Sequence, residues 1–148
     1  MFIERGMSMT AKGYLQQIYH FKNRINRLMA RREEIRAEMY SVKSPAGVMS
    51  PNRVQSSITG DKLERLIARV DELERDIVAE IESLEKSRRR ISEQIEAVPN
   101  ETYRAILHER YELCWKWEKI AVDLNVSIRH VYRLHGEALQ AFEKIIRH

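Results

Sequence analysis

Arg129 and Arg133 stand four residues apart in the stretch "IRHVYRLHG", so a helix would carry both guanidinium groups on one face. The fixed fork of a guanidinium matches planar pairs of acceptors, among them O6 and N7 on the major-groove edge of guanine. If Val131, Leu134 and Ala138 turn inward, then Ile128, Arg129, Tyr132, Arg133 and Gly136 look outward and His130 lies at the edge. Ser127, the backbone amides that follow it and Lys116 are placed to meet phosphate oxygens. Gly136 costs a helix about 1 kcal/mol relative to Ala. That cost fits either a backbone passing close by or simple tolerance. The expected chemistry is recognition of double-stranded DNA, with no bond made or broken; the spacing alone also fits a purely structural three-helix core.

Other chemistries find little material. The histidines at 20, 108, 130, 135 and 148 have no Asp, Cys or Ser arrangement recognisable as a catalytic set. His130 and His135 fall on different helix faces, and His135 is expected in the core. Cys114 is the one cysteine; it has no disulfide partner and no Cys or His at metal-ligand spacing, so a buried or half-buried spectator role is expected. The sequence therefore predicts a non-enzyme with no metal and no cofactor.

The recognition helix must be positioned by what precedes it. In "IAVDLNVSIRHVYRLH" the apolar spacing breaks at Leu124-Asn125-Val126-Ser127 and then restarts. Asn125 tolerates the left-handed backbone that ends a helix, and Ser127 is a good N-cap for the next. Val131 and Leu134 would then point back at Ile120, Ala121 and Leu124, with Ala121 small enough for a close crossing. Asn100 can cap an earlier helix bearing Tyr103, Ile106, Leu107, Tyr111 and Leu113, and Cys114-Trp115-Lys116 turns the chain into the helix of Trp117. Residues 99–148 thus predict a three-helix domain with a helix-turn-helix.

Residues 10–98 read differently. Tyr14, Ile18, Phe21, Ile25, Leu28, Ile35 and Met39 follow steps of four and three, with Arg32 at the missing position. Leu63, Leu66, Val70, Leu73, Ile77, Ile81, Leu84, Ile91 and Ile95 continue the rhythm, with Arg88 on the seam, a stutter at Ile77 to Ile81 and a capping box at Asp61 to Glu64. Two helices of roughly 45 and 55 Å would fold into an antiparallel coiled-coil hairpin joined by a loop at 41–60. Leu15, Tyr19, Met29, Ile67 and Val78 widen the apolar stripe beyond the seam. Either the C-terminal domain or a second copy should cover it, and a homo-oligomer, a dimer first, is preferred. Residues 1–9 are expected to be a disordered extension.

The chain has 148 residues, 43% hydrophobic and 32% charged, with a net charge of +4. Counted along the sequence, 1–40 carries +4, 41–60 carries +2, 61–98 carries −3 and 99–148 carries +1. There is no polybasic tail, and the "KSRRR" run at 86–90 is balanced by Glu82, Glu85 and Glu93. No stretch approaches the roughly 18 apolar residues of a membrane span, and Glu4 and Arg5 interrupt any leader, so a cytoplasmic protein with no membrane partner is expected.

The run "YRAILHERYELCWKWEKIAVDLNVSIRHVYRLHGEAL" resembles region 4 of bacterial sigma factors, including the turn. The layout as a whole is similar to small phage-encoded late-gene regulators of the ArpU and RinA type, on the segments "TAKGYLQQI", "VQSSITGDKLE" and "RHVYRLHGEAL". The resemblance implies a DNA-binding transcription regulator of late or packaging genes, with host RNA polymerase as a second partner. Sigma factors often carry polar residues where Ile128 and Tyr132 stand, so their base readout need not transfer. The chain also lacks room for promoter-melting regions. The alternatives are a small-terminase-like assembly or DNA-packaging protein, and a module that binds polymerase and not DNA.

Overall fold

The computed structural model describes residues 3–4, 7–43 and 53–147, and the chain is all-α apart from one minimal ladder. That ladder pairs β1 (Ile3–Glu4) antiparallel with β2 (Met7–Ser8). The segment expected to be unordered therefore holds two rungs of regular backbone. The helices follow as α1 (Ala11–Leu15), α2 (Gln17–Lys43), α3 (Arg53–Glu96), α4 (Glu101–Leu107), a π-helical turn (His108–Glu112), α5 (Trp117–Leu124) and α6 (Ile128–Ile146).

Several boundaries differ from expectation. Residues 41–43 and 53–60, assigned to a loop, belong to α2 and α3; the rest of that loop lies outside the described residues. Asp61 is consequently inside α3 and caps nothing. Gly60 is the one strong helix breaker between Arg53 and Asp61, and a single exposed glycine costs only about 1 kcal/mol, too little to stop a helix of 44 residues.

The chain divides into two compact units, one of 1–22 with 83–148 and one of 23–82. This cuts across both long helices, where the sequence had suggested a border at Pro99. In the second unit Ile35, Val70 and Leu73 are buried, with Leu28, Met39 and Leu66 packed against them. Ion pairs Arg24–Glu80 at 3.2 Å, Arg36–Glu74 at 2.6 Å and Lys62–Glu38 at 3.4 Å tie α2 to α3. Their order reverses between the two helices. Seam positions are mostly buried or half-buried, but Ile81 is exposed. Glu80 takes the inner position three residues after Ile77, so the stutter turns Ile81 out.

In the first unit the beginning of the seam meets the C-terminal helices. Leu15 and Ile18 are fully buried. The Tyr14 ring lies 6.0 Å from that of Phe142, and its hydroxyl donates to Gln94 Oε1 at 2.6 Å. Tyr19 Oη donates to the Arg110 carbonyl at 3.0 Å. The C-terminal helices thus cover the Leu15–Tyr19 part of the wide stripe, which the sequence left open between those helices and a second copy.

Candidate nucleic-acid interface

The geometry is built from three short helices and two turns. Asn100 caps α4, its side chain accepting from Tyr103 N at 3.1 Å. The helix then widens into the π turn, and Ile106, Leu107, Glu109 and Tyr111 are all buried. These positions are spaced too closely for one face of a 3.6-residue helix, and widening the turn accommodates them. Cys114 begins the turn expected at Cys114-Trp115-Lys116, and its left-handed φ of 58° is the part that sequence spacing did not foretell. It is half-buried, and Lys22 Nζ lies 3.3 Å from its sulfur.

Between α5 and α6 the backbone makes a Schellman turn. Asn125 sits at φ 55°, ψ 47°, Val126 N donates to Ala121 O at 3.0 Å, and Asn125 N donates to Val122 O at 3.1 Å. Ser127 then caps α6 by accepting from His130 N at 3.1 Å. Ile106, Ile120, Ala121 and Val131 form one buried cluster, joined by Trp115, Trp117, Leu124, Val126 and Leu134. Val131 and Ala138 are fully buried, as the spacing predicts.

The outward face contains the residues singled out above. Ser127, Ile128, Arg129, Tyr132, Arg133 and Gly136 are exposed, Lys116 is exposed as the residue preceding α5, and His130 is half-buried at the edge. Arg133 Nη2 lies 3.3 Å from His130 Nδ1. No carboxylate occurs from Ser127 to Gly136, and the amide end of α6 adds partial positive charge. A polyanion would meet donors and cations here.

Behind this face lies an aromatic group that sequence spacing missed. Trp117 packs edge-on to Tyr132 at 5.3 Å and to His135 at 4.6 Å between centroids. The Arg110 guanidinium lies 4.2 Å from the Trp117 ring centroid and donates to Trp115 O at 2.9 Å. Tyr111 Oη and His135 Nε2 share a hydrogen bond at 2.7 Å. Burial, with the charges of Lys12 and Arg110, lowers the His135 pKa to about 4, and burial raises that of Tyr111 to about 12. Both are therefore neutral near pH 7. The partners are brought together only by tertiary packing.

Two acidic groups brace the module. Glu109 is buried, and burial, with the hydrogen bond and charge of Asp123, raises its pKa to about 8. His108 is held between Glu112 on Nδ1 and Glu96 on Nε2, the latter at 2.7 Å. The Glu112 hydrogen bond is the main reason its pKa rises, against burial, with Glu96 adding to it. The "KSRRR" run is ordinary surface in part: Arg88 pairs with Glu85 at 3.5 Å.

Among the described residues no group of His, Cys, Asp and Glu could hold a metal ion, and no helix is long and apolar enough to cross a membrane. No protein-family model, curated protein or solved structure matches the chain.

Proposed function

We propose that this chain is a sequence-specific DNA-binding transcription regulator, phage or prophage encoded, acting on late or packaging genes. In this reading α5, the Asn125 turn and α6 are a helix-turn-helix, with α6 entering the major groove. The observation that carries it is the outward face of α6 from Ser127 to Gly136, which holds no carboxylate and exposes Arg129 and Arg133. Lys116, Ser127 and the first amides of α6 hold phosphates, while the arginines contact base edges.

The long helices form an antiparallel hairpin that brings two copies together. Ile67, Val78 and Ile81 support this, being 41%, 55% and 39% exposed within one sector of α3. Host RNA polymerase is the second partner, and Val122, 81% exposed on α5, offers it an apolar contact. The test is selection of bound duplexes from a random pool by the full chain, followed by mobility shifts with and without polymerase. A recovered motif supports the regulator. Failure to recover one would overturn it in favour of assembly or polymerase binding alone.

A further inference from the structure

The outward face of α6 carries two neighbouring rows, each stepping by four residues. One is basic at its start, Arg129 and Arg133, and continues to Glu137, whose carboxylate is held by Tyr103 Oη. The other is Ile128, Tyr132 and Gly136. Ile128 and Tyr132 are large apolar or amphipathic side chains left 39% and 51% exposed on a face that otherwise suits a polyanion. We infer that Ile128 and Tyr132 read the 5-methyl groups of thymine in the major groove, beside guanines held by Arg129 and Arg133. The inference rests on the DNA-binding reading above and names the bases that face selects.

Chemistry narrows the occupant. The thymine methyl is the one apolar group that an unmodified base pair presents in the major groove. A protein partner with an apolar surface would have to bury the adjoining arginines; no carboxylate lies from Ser127 to Gly136, and the next one, Glu137, already accepts from Tyr103 Oη at 2.9 Å. Duplex DNA supplies both the negative charge and the methyl.

Tyr132 is also held in place. Its ring meets Trp117 at 65°, and Trp117 is fixed in turn by His135 and the Arg110 guanidinium. Ordering this side chain on binding therefore costs little. One turn further, a Cβ built on Gly136 would meet nothing within 4 Å. No neighbour within the protein requires glycine there, and the open space admits the edge of a duplex.

The test uses a duplex recovered by the full chain from a random pool, remade with deoxyuridine at every thymine. Every hydrogen-bonding edge is kept and only the methyls are lost. Fluorescence anisotropy should show about fourfold weaker binding for each methyl contacted. Ile128→Ala and Tyr132→Ala should each lower the thymine-to-uracil ratio, and the double variant should bring it to one. Tyr132 touches Trp117, so thermal melts accompany each variant, and Ile128→Ala carries the test alone if Tyr132→Ala fails to fold. Equal binding of both duplexes by the parent chain, or a ratio that Ile128→Ala leaves unchanged, would overturn the inference while leaving DNA recognition intact. Recovery of no duplex would remove the DNA-binding reading and this inference with it.

Discussion

Ala121→Leu tests the close crossing of α5 and α6. Ala121 is only 6% exposed, in a cluster with Ile106, Ile120 and Val131. Three added carbons must displace neighbours on two helices, and overpacking of this kind costs typically 1–3 kcal/mol. Taking about 2 kcal/mol and a loss of about 4–8 °C per kcal/mol for a unit of this size, Tm should fall by about 8–16 °C. Val122→Leu is the matched control, because Val122, next to Ala121 in sequence, is 81% exposed and surface substitutions usually stay within about 0.5 kcal/mol. Circular dichroism melts of both variants against the parent provide the assay. An Ala121→Leu chain that melted with the parent, or a Val122→Leu chain that lost as much, would refute the assignment of the two faces of α5.

On the recovered duplex, Arg129→Ala or Arg133→Ala should lose about 1–3 kcal/mol and much less on random DNA. Lys116→Ala should weaken both alike and reduce the salt slope by about 0.9; equal losses on both DNAs for the arginine variants would argue against base contacts. Sedimentation of the full chain should show a dimer or higher oligomer, and Val78→Asp should shift it towards monomer; a parent that stays monomeric at tens of micromolar, on the order of weak association constants, defeats the pairing. Glu109 has a folded pKa raised from 4.5 to about 8, so the folded state holds a proton that the unfolded state releases between those values. Its contribution is present below about 4.5 and lost as pH rises through about 8. Denaturation curves should show that Glu109→Gln flattens this loss, and an unchanged pH profile would count against the burial of Glu109 beside Asp123.

Local signals are legible in the chain, and distant ones are not. The Asn125 turn, the Ser127 cap and the Asn100 cap each depend on residues within about five positions, and steric preference at those positions dictates them. The inward and outward sides of α6 followed from apolar spacing in the same way. The start of α3 was misplaced because Asp61-Lys62-Leu63-Glu64 has capping-box spacing without lying at a helix end. Ile81 was misassigned because periodicity cannot say which side of a stutter faces the partner helix. Trp117 with Tyr132, Tyr111 with His135, and Glu109 with Asp123 join residues that only the packed structure brings together. No local spacing encodes them, and neither does it encode the cover that α6 gives to Tyr14.

Tyr14 and Phe142 lie near opposite ends of the sequence yet in one compact unit. That separation sets an order of events during synthesis. At about 5–20 residues per second, the first helix waits on the order of ten seconds before Phe142 is made. Throughout that interval Leu15 and Ile18, fully buried in the finished protein, lack the part of their cover that α6 supplies. A chain cut short before α6 should therefore be held by chaperones or aggregate through its N-terminal helix, though the cut removes nothing from that helix itself.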